Sequence, residues 1–382
     1  MEIKKQSSRG YAIGAAVLAT IFAFIVLEAA SRLWLSVFAN NKQIALYGTA
    51  EQVQNLEKRY KRHPYLPFIP LPNYRSDKNR HNTLGYRGDE ISMPKPESEF
   101  RIACLGGSTT YTTSVEDYTQ SYPYLLQRYL SQKRPELKVI NAGCGKYSSW
   151  ESLINLSFRV LELQPDLVIV YQNVNDVHCR LVYPYSAYRA DNTASRKPYS
   201  EPRENFWTRS TAIRILATRL GLRKSMAGLL FFRTHDYVET NYTMEFCEQK
   251  RLNVYPSRIF TRHPASEMLT KNPPIYFEKN MENIVALCKA NDIDVVLLTF
   301  ASSPHFPNNP MSFTPEYRNA IKEHNDIIKN ICLQKNIHCF DLAAQMPTEP
   351  DYWCDGNHVN EKGSNTKARL VAAYLEQSGL LP

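Results

Sequence analysis

Residues 167 to 171 read Leu-Val-Ile-Val-Tyr, a run without a charged or strongly polar position. A strand turns successive side chains to opposite faces, so an unbroken apolar run predicts a strand buried on both sides. Both faces are buried when a parallel sheet lies between helices, and parallel strands need long crossovers. Four further stretches read as strands of the same sheet: Phe100-Arg-Ile-Ala-Cys-Leu105, Lys138-Val-Ile-Asn141, Asp294-Val-Val-Leu-Leu-Thr-Phe300 and Ile337-His-Cys-Phe-Asp-Leu342. Between them, Tyr122–Leu130, Trp150–Leu163, Ile275–Asn291 and Pro315–Lys335 carry helical patterns, and Glu361–Glu376 closes the chain with another. The expectation is an α/β fold with helices covering both faces of a central parallel sheet. Ligands in such folds bind beyond the carboxyl ends of the strands.

A second constraint lies at the N-terminus. Gly10 to Leu27 is an apolar stretch without a charge. As a helix, its 18 residues rise roughly 27 Å, close to the hydrocarbon thickness of a bilayer. Lys4, Lys5 and Arg9 outnumber Glu2 before it. That bias predicts a cytoplasmic N-terminus and an extracytoplasmic remainder, periplasmic in a bacterial envelope. Ala29-Ala30-Ser31 leaves open a cleaved signal peptide as the rival reading, and a buried or peripheral helix is a third. The expected organisation is a tail at 1–9, an anchor at 10–37, a juxtamembrane helix and extended lead-in at 38–99, and one α/β domain at 100–382. Within the lead-in, residues 40–62 read as a helix, and His63 to Pro72 as a proline-rich extended stretch.

The formal net charge of +9 favours anionic neighbours. No nucleic-acid motif accompanies it, so lipid headgroups and glycans are the expected partners. Eight cysteines form no close CxxC pair or zinc-like cluster, and neither a metal nor a cofactor is expected. Cys144, Cys179 and Cys354 adjoin candidate site blocks, and Cys332 with Cys339 is another candidate pair. At most two disulfides are expected.

Residues 180 to 270 break the strand–helix rhythm and read as an insertion. Its persuasive helix, Ser210 to Phe232, carries Arg214, Arg219, Arg223 and Lys224, which are candidate substrate contacts for an anionic glycan or headgroup. A helix packed on the domain with solvated basic residues is the competing reading.

Four blocks carry chemistry. Ser108 follows a strand and the pair Gly106-Gly107, where the backbone can turn sharply and expose a hydroxyl. The Gly-x-Ser-x-Gly elbow of the α/β-hydrolases is absent. His358 is a candidate general base, and Asp355, three residues earlier, a candidate orienter of its ring. Asp341, at the end of the last strand, competes for that role. Gly145, Asn175 and the Ser108 N–H are candidate oxyanion donors, with Gly143 as the alternate glycine.

In their order these blocks resemble the SGNH, or GDSL-like, hydrolase superfamily. The nucleophile block is Gly106-Gly107-Ser108-Thr109, with Gly107 where the familiar pattern has Asp. The second block is Asn141-Ala-Gly-Cys-Gly145, and the third is Asn173-Val-Asn-Asp176, with Asn173 replacing Gly. The last, Asp355-Gly-Asn-His358, keeps Asp-x-x-His. The segment Asn82-Thr-Leu-Gly-Tyr-Arg-Gly88 looks like a lead-in of membrane-anchored members. The resemblance implies a three-layer flavodoxin-like fold and a serine esterase or acyltransferase. It implies Ser108, His358 and Asp355 as the catalytic set, and Ser108, Gly145 and Asn175 as the oxyanion hole. Expected substrates are O-acyl, above all O-acetyl, groups of an envelope glycan, with acyl transfer or lipid hydrolysis as alternatives. Envelope-assembly partners are compatible with the anchor. An inactive anchored scaffold is the non-enzymatic reading. The Ser108–His358 separation discriminates between them.

Overall fold

The computed structural model describes residues 2–49, 52–53, 59–61, 63–191, 205–223 and 242–382. Two compact units emerge, one from Met1–Lys58 with Pro198–Arg233, the other from Arg59–Lys197 with Thr234–Pro382.

In the first unit, α1 spans Glu2–Leu33 and continues through a wider turn, Trp34–Phe38. Among the described residues, Gly10–Phe38 is the one helix long and apolar enough to cross a membrane. Asn40 and Gln43 cap one another's backbone at the start of α2, Asn41–Tyr47. The expected helix over 40–62 is therefore interrupted at Gly48; Gln52 and Val53 are helical again, and residues 50–51, 54–58 and 62 lie outside the described residues. Gly48 ends α2 with extended backbone, and a Cβ there would stand 2.5 Å from the Ile44 carbonyl oxygen.

In the second unit, β1 (Tyr60–Lys61) pairs antiparallel with β2 (Ile69–Pro70), giving the proline-rich stretch a short extended element. The main sheet has five strands: β3 (Phe100–Gly106), β4 (Leu137–Asn141), β5 (Leu167–Tyr171), β6 (Asp294–Leu298) and β7 (His338–Phe340). They run parallel in the order β4-β3-β5-β6-β7. Alternation along β3 explains the layers. Ile102 and Cys104 join a core with Tyr122, Leu126 and Leu375, whereas Ala103 and Leu105 join another with Leu156, Met281 and Ile328. Each fully buried Leu or Ile contributes roughly 1.5–3 kcal/mol relative to exposure.

Helices connect these strands. A one-turn helix α3, Ser108–Tyr111, follows β3, and α4 is Tyr122–Leu130. Helix α5, Ser149–Asn155, gives way to wider and tighter turns through Leu163, where the sequence suggests one continuous helix. Helix α6, Val174–Arg180, follows β5 directly. Later come α7 (Thr211–Arg219), in the first unit, then α8 (Tyr242–Arg251), α9 (Ala265–Lys271) and α10 (Ile275–Lys289). The chain ends through α11 (Pro310–Phe313), α12 (Pro315–Lys335), α13 (Leu342–Gln345) and α14 (Glu361–Ser378).

The region expected as one insertion at 180–270 is divided. Phe246, Cys247, Phe260, Met268 and Leu269 are buried in the same core as Ile102, so its last third builds the domain. The expected helix from Ser210 to Phe232 is observed as Thr211–Arg219, and residues 224–232, Lys224 included, lie outside the described residues. All eight cysteines are free thiols. Of the candidate pair Cys332 and Cys339, the Cys332 thiol donates to the His338 carbonyl at 3.7 Å.

Candidate active site

Helix α3 begins where β3 ends, and its first residue is Ser108. Gly106 makes the turn with φ +153, a conformation L side chains rarely adopt, and an added Cβ would sit 2.2 Å from the Tyr171 carbonyl oxygen. As the first residue of its helix, Ser108 leaves an N–H without an intrahelical partner. Its Oγ lies 2.8 Å from His358 Nε2. His358 Nδ1 lies 2.8 Å from Asp355 Oδ2. The other Asp355 oxygen accepts the N–H groups of Asn357 and His358 at 2.9 and 2.8 Å, which fixes the loop that carries both residues. Burial pushes the Asp355 carboxyl up. The hydrogen bond and charge of His358, with the two backbone donors, outweigh that push and hold it below the ordinary aspartate range.

Asp341 is engaged elsewhere. It accepts from Thr299 Oγ1 at 2.7 Å and pairs with Lys329 at 2.6 Å. The carboxylate that meets His358 is that of Asp355 alone among the described residues.

The donor candidates separate on their hydrogen bonds. Gly143 N–H already donates to Asn141 Oδ1 at 3.2 Å, and a Cβ at Gly143 would meet the Tyr111 nitrogen at 2.4 Å. That glycine exists for packing against α3. Gly145 N–H has no hydrogen-bond partner among the described residues. Asn175 is buried and gives one amide hydrogen to the Tyr147 carbonyl at 2.8 Å, so its second stays available. A Cβ on Gly107 would stand 2.6 Å from Asn175 Nδ2 and 2.9 Å from the Tyr147 oxygen. The glycine in place of the usual Asp therefore makes room for this asparagine.

Asn173, the other departure from the family pattern, has φ −172, which any residue adopts. Its amide donates to the Ile321 carbonyl and to Asn325 Oδ1, both at 3.0 Å. Asp176, quoted in the block without a role, is buried. It accepts from Ser149 N at 3.0 Å, Ser149 Oγ at 2.6 Å and Gln172 at 3.0 Å. Burial raises its carboxyl to about 6, against those donors. It ties the start of α5 to the start of α6.

Three residues of the neighbourhood escape sequence reasoning. Lys367 of α14 is fully buried, donates to the Thr109 carbonyl at 3.1 Å, and lies over the rings of Tyr122 and Tyr171. Burial drives its ammonium well below the usual lysine range. Arg87 of the lead-in donates to the carbonyls of Tyr111, Thr112, Val115 and Glu116 at 2.7–2.9 Å, clamping the loop behind α3. His81, pushed down to about 4 by burial, bridges the Leu71 carbonyl and the Tyr111 hydroxyl. A lysine in a terminal helix pattern and an arginine in a turn carry no signal of their own.

A cavity of about 310 Å³ opens beside this loop, lined by Tyr74, Lys78, Asn79, Tyr111, Thr113 and Glu116 among others. Thr113, one of its lining residues, reaches the backbone of Ser108. Its hydroxyl donates to the Ser108 carbonyl at 3.3 Å and lies 3.9 Å from where a Gly145 Cβ would stand.

The candidate substrate arginines have partners in the first unit. Arg214 is buried and donates to the carbonyls of Tyr47 and Thr208. Arg219 lies over the Tyr47 ring, and Arg223 donates to the Gly48 carbonyl. For Arg214 a structural role replaces the expected substrate contact, because a guanidinium buried on backbone carbonyls has little left to offer.

A hydroxyl, an imidazole and a carboxylate joined in that order, at the carboxyl edge of a parallel sheet, form the arrangement of a nucleophilic hydrolase. Sequence comparison narrows the class. The chain belongs to the GDSL-like Lipase/Acylhydrolase family, whose model matches residues 104–365. Membership gives it a hydrolase or esterase type of activity in general terms. No curated protein matches the chain significantly in sequence. Solved structures with similarity include a GDSL-like lipase from Bacteroides thetaiotaomicron VPI-5482, at 15% identity over 75% of this chain and 93% of that one, TM-score 0.40. A lipase/acylhydrolase from Enterococcus faecalis matches at 15% identity over 73% and 96%, TM-score 0.40. The psychrotrophic esterase EstA from Pseudoalteromonas sp. matches at 13% identity over 73% and 98%, TM-score 0.40.

Proposed function

We propose that the protein is a serine ester hydrolase that removes O-acyl groups, O-acetyl above all, from an extracytoplasmic glycan. The observation that carries this reading is the chain of two 2.8 Å contacts from Ser108 through His358 to Asp355. Ser108 Oγ attacks the ester carbonyl carbon while its proton passes to His358 Nε2. Asp355 holds the ring and stabilises the imidazolium. The Ser108 N–H, the Gly145 N–H and Asn175 Nδ2 donate to the oxyanion. The tetrahedral adduct collapses, the C–O bond to the alcohol breaks, and His358 returns the proton to the leaving oxygen. Water then attacks the acyl-enzyme with His358 again as base, releasing the carboxylic acid and Ser108.

Several observations support the finer points. The strand order corresponds to 2-1-3-4-5 numbering, the flavodoxin-like order, and with helices on both faces it supports a three-layer description. In that order the switch point lies between β3 and β5, the strands that lead into Ser108 and Asn175. The cavity beside Thr113 mixes tyrosine faces with Lys78, Asn79 and Glu116 side chains, a lining suited to a sugar's ring faces and hydroxyls. Its volume suits one glycosyl unit carrying the ester. The basic residues ahead of Gly10 favour a cytoplasmic N-terminus and a catalytic domain on the far side of the membrane. Transfer of the acyl group to a sugar hydroxyl is the second reading, because the same cavity can seat an acceptor.

The test is labelling of the full chain in detergent with a serine-reactive phosphonate, followed by assay on acetylated sugars with and without a deacetylated acceptor. Adduct on Ser108 with acetate release supports hydrolysis, and acetyl appearing on the acceptor supports transfer. A protein that neither labels nor turns over any ester is the scaffold.

A further inference from the structure

Glu28 is a carboxylate inside the apolar helix α1, and its partners explain its presence. It accepts from Ser210 Oγ at 2.7 Å and from the N–H groups of Thr211 and Ala212, both at 3.0 Å. Arg32, one turn on, pairs with it at 2.6 Å. The first N–H groups of a helix have no partners within it and carry positive partial charge. Glu28 thus seats the start of α7 on α1. Two arginines fasten the rest of the segment: Arg214 to the Tyr47 carbonyl at 2.6 Å and Arg223 to that of Gly48 at 3.3 Å. Residues 205–223 are therefore built onto the end of the anchor.

The side chains left outside are apolar. Phe206 is 73% exposed, Trp207 68% and Leu222 79%, and Leu216 and Leu220 stand one turn apart on the exposed side of α7. Leu33, Val37 and Phe38 at the end of α1 are exposed as well. Leaving so many large apolar groups in water is costly, at about 25 cal/mol per Å². Interleaved with them are the exposed cations Arg209 and Arg219. Glu28 lies 18 residues beyond Gly10, a helical rise of roughly 27 Å, so it falls at the far boundary of a bilayer entered at Gly10.

We propose that residues 205–223 are a second membrane-contacting element, an interfacial collar lying in the outer leaflet of the bilayer that α1 crosses. Its ligand is a phospholipid surface with anionic headgroups. The acyl region takes Phe206, Leu216, Leu220 and Leu222, Trp207 sits at the headgroup boundary, and Arg209 and Arg219 meet the phosphates. The bilayer is the occupant because the apolar surface continues that of α1, which is itself apolar and exposed. The inference rests on the reading of α1 as a membrane anchor.

The experiment separates the two. The full chain, with benzoylphenylalanine at one of Val17, Phe206, Leu216, Leu222 or Leu252, is placed in nanodiscs of mixed neutral and anionic phospholipid, irradiated and analysed by mass. Val17 reports the anchor, and Leu252, an exposed leucine of the other unit, is the background. Lipid adducts at 206, 216 and 222 about tenfold above those at 252, with adducts at 17, are the expected result for a buried interfacial face. Adducts at 17 but only background at 206, 216 and 222 overturn the collar and leave the anchor standing. Cross-links from those positions to a second copy also overturn it, making the face a protein interface. Background at every position, 17 included, overturns both.

Discussion

Gly107 offers the sharpest test of the site, because the family pattern has an aspartate where this chain has none. An alanine adds one carbon. In the present backbone that carbon stands 2.6 Å from Asn175 Nδ2 and 2.9 Å from the Tyr147 oxygen, the two atoms joined by a 2.8 Å hydrogen bond. Ordinary contact begins at 3.4 Å, so Asn175 must retreat by roughly 0.8 Å or the turn must open. The Tyr147 oxygen is backbone and yields little, so the asparagine moves. Misplacing one oxyanion donor costs about 10²- to 10³-fold in kcat, or roughly 3–4 kcal/mol of transition-state stabilisation. Overpacking costs a further 1–3 kcal/mol or so of stability. Gly107→Ala should therefore fold with a lowered Tm and lose kcat on a small acyl ester by about a hundredfold or more, with KM little changed. Gly107→Asp should lose at least as much. Asn175→Ala supplies the control. If Gly107→Ala acts through Asn175, adding it to Asn175→Ala should cost almost nothing more. A Gly107→Ala enzyme within threefold of wild type, or additive losses in the double variant, would refute the reasoning.

Other outcomes follow from the same geometry. Asp355→Asn should lower kcat by about 10²- to 10⁴-fold, whereas Asp341→Asn should stay within about twofold, as steady-state kinetics on one ester will show. Asp355 also predicts a pH dependence of stability. Its folded value lies below the ordinary 3.8, so its contribution is present above that pH and is lost as pH falls through the lowered folded value. Thermal melts from pH 6 to pH 2 should accordingly show a shallower acid decline in Asp355→Asn than in wild type. Lys367→Met removes the donor to the Thr109 carbonyl while filling the same space. Tm should hold or rise, because a buried polar amine is costly, while kcat falls about tenfold at unchanged KM as α3 loses its support.

Where packing alone decided structure, the sequence spoke clearly. Leu167–Tyr171, Tyr122–Leu130 and Pro315–Lys335 have the ends expected from pattern, because an unbroken buried run and a strong apolar stripe each admit one solution. The reading failed where two patterns overlapped. The apolar stripe through residues 40–62 suggested one helix, but Gly48 turns to extended backbone and ends α2. Residues 150–163 kept a helical pattern through a change of pitch that periodicity does not register. The stretch at 180–270 reads as one insertion, yet Phe246 and Phe260 are core, because aromatic side chains bury well from short helices and turns. In the site, the blocks were legible because each follows a strand or precedes the final helix. Arg87 and Lys367 were not, because their partners are backbone carbonyls, which a sequence cannot mark.

The two departures from the family pattern converge on one asparagine and accommodate each other. Gly107 clears the space in which Asn175 turns its amide toward Tyr147. Asn173, two residues before it, stands in extended backbone that needs no glycine, and spends its amide on the Ile321 carbonyl and Asn325 of α12. Asn325 in turn donates to the Phe300 carbonyl and accepts from the Phe300 N–H, at 3.0 and 2.7 Å. The ends of β5 and β6 are thereby stitched through one helix, and Asp176 binds the start of α5 on the other side of Asn175. A side chain held between two such ties keeps its position before charge develops, which is what the oxyanion role proposed for it demands. The lost glycine of the third block is therefore exchanged for a cross-link, and the lost aspartate of the first for room.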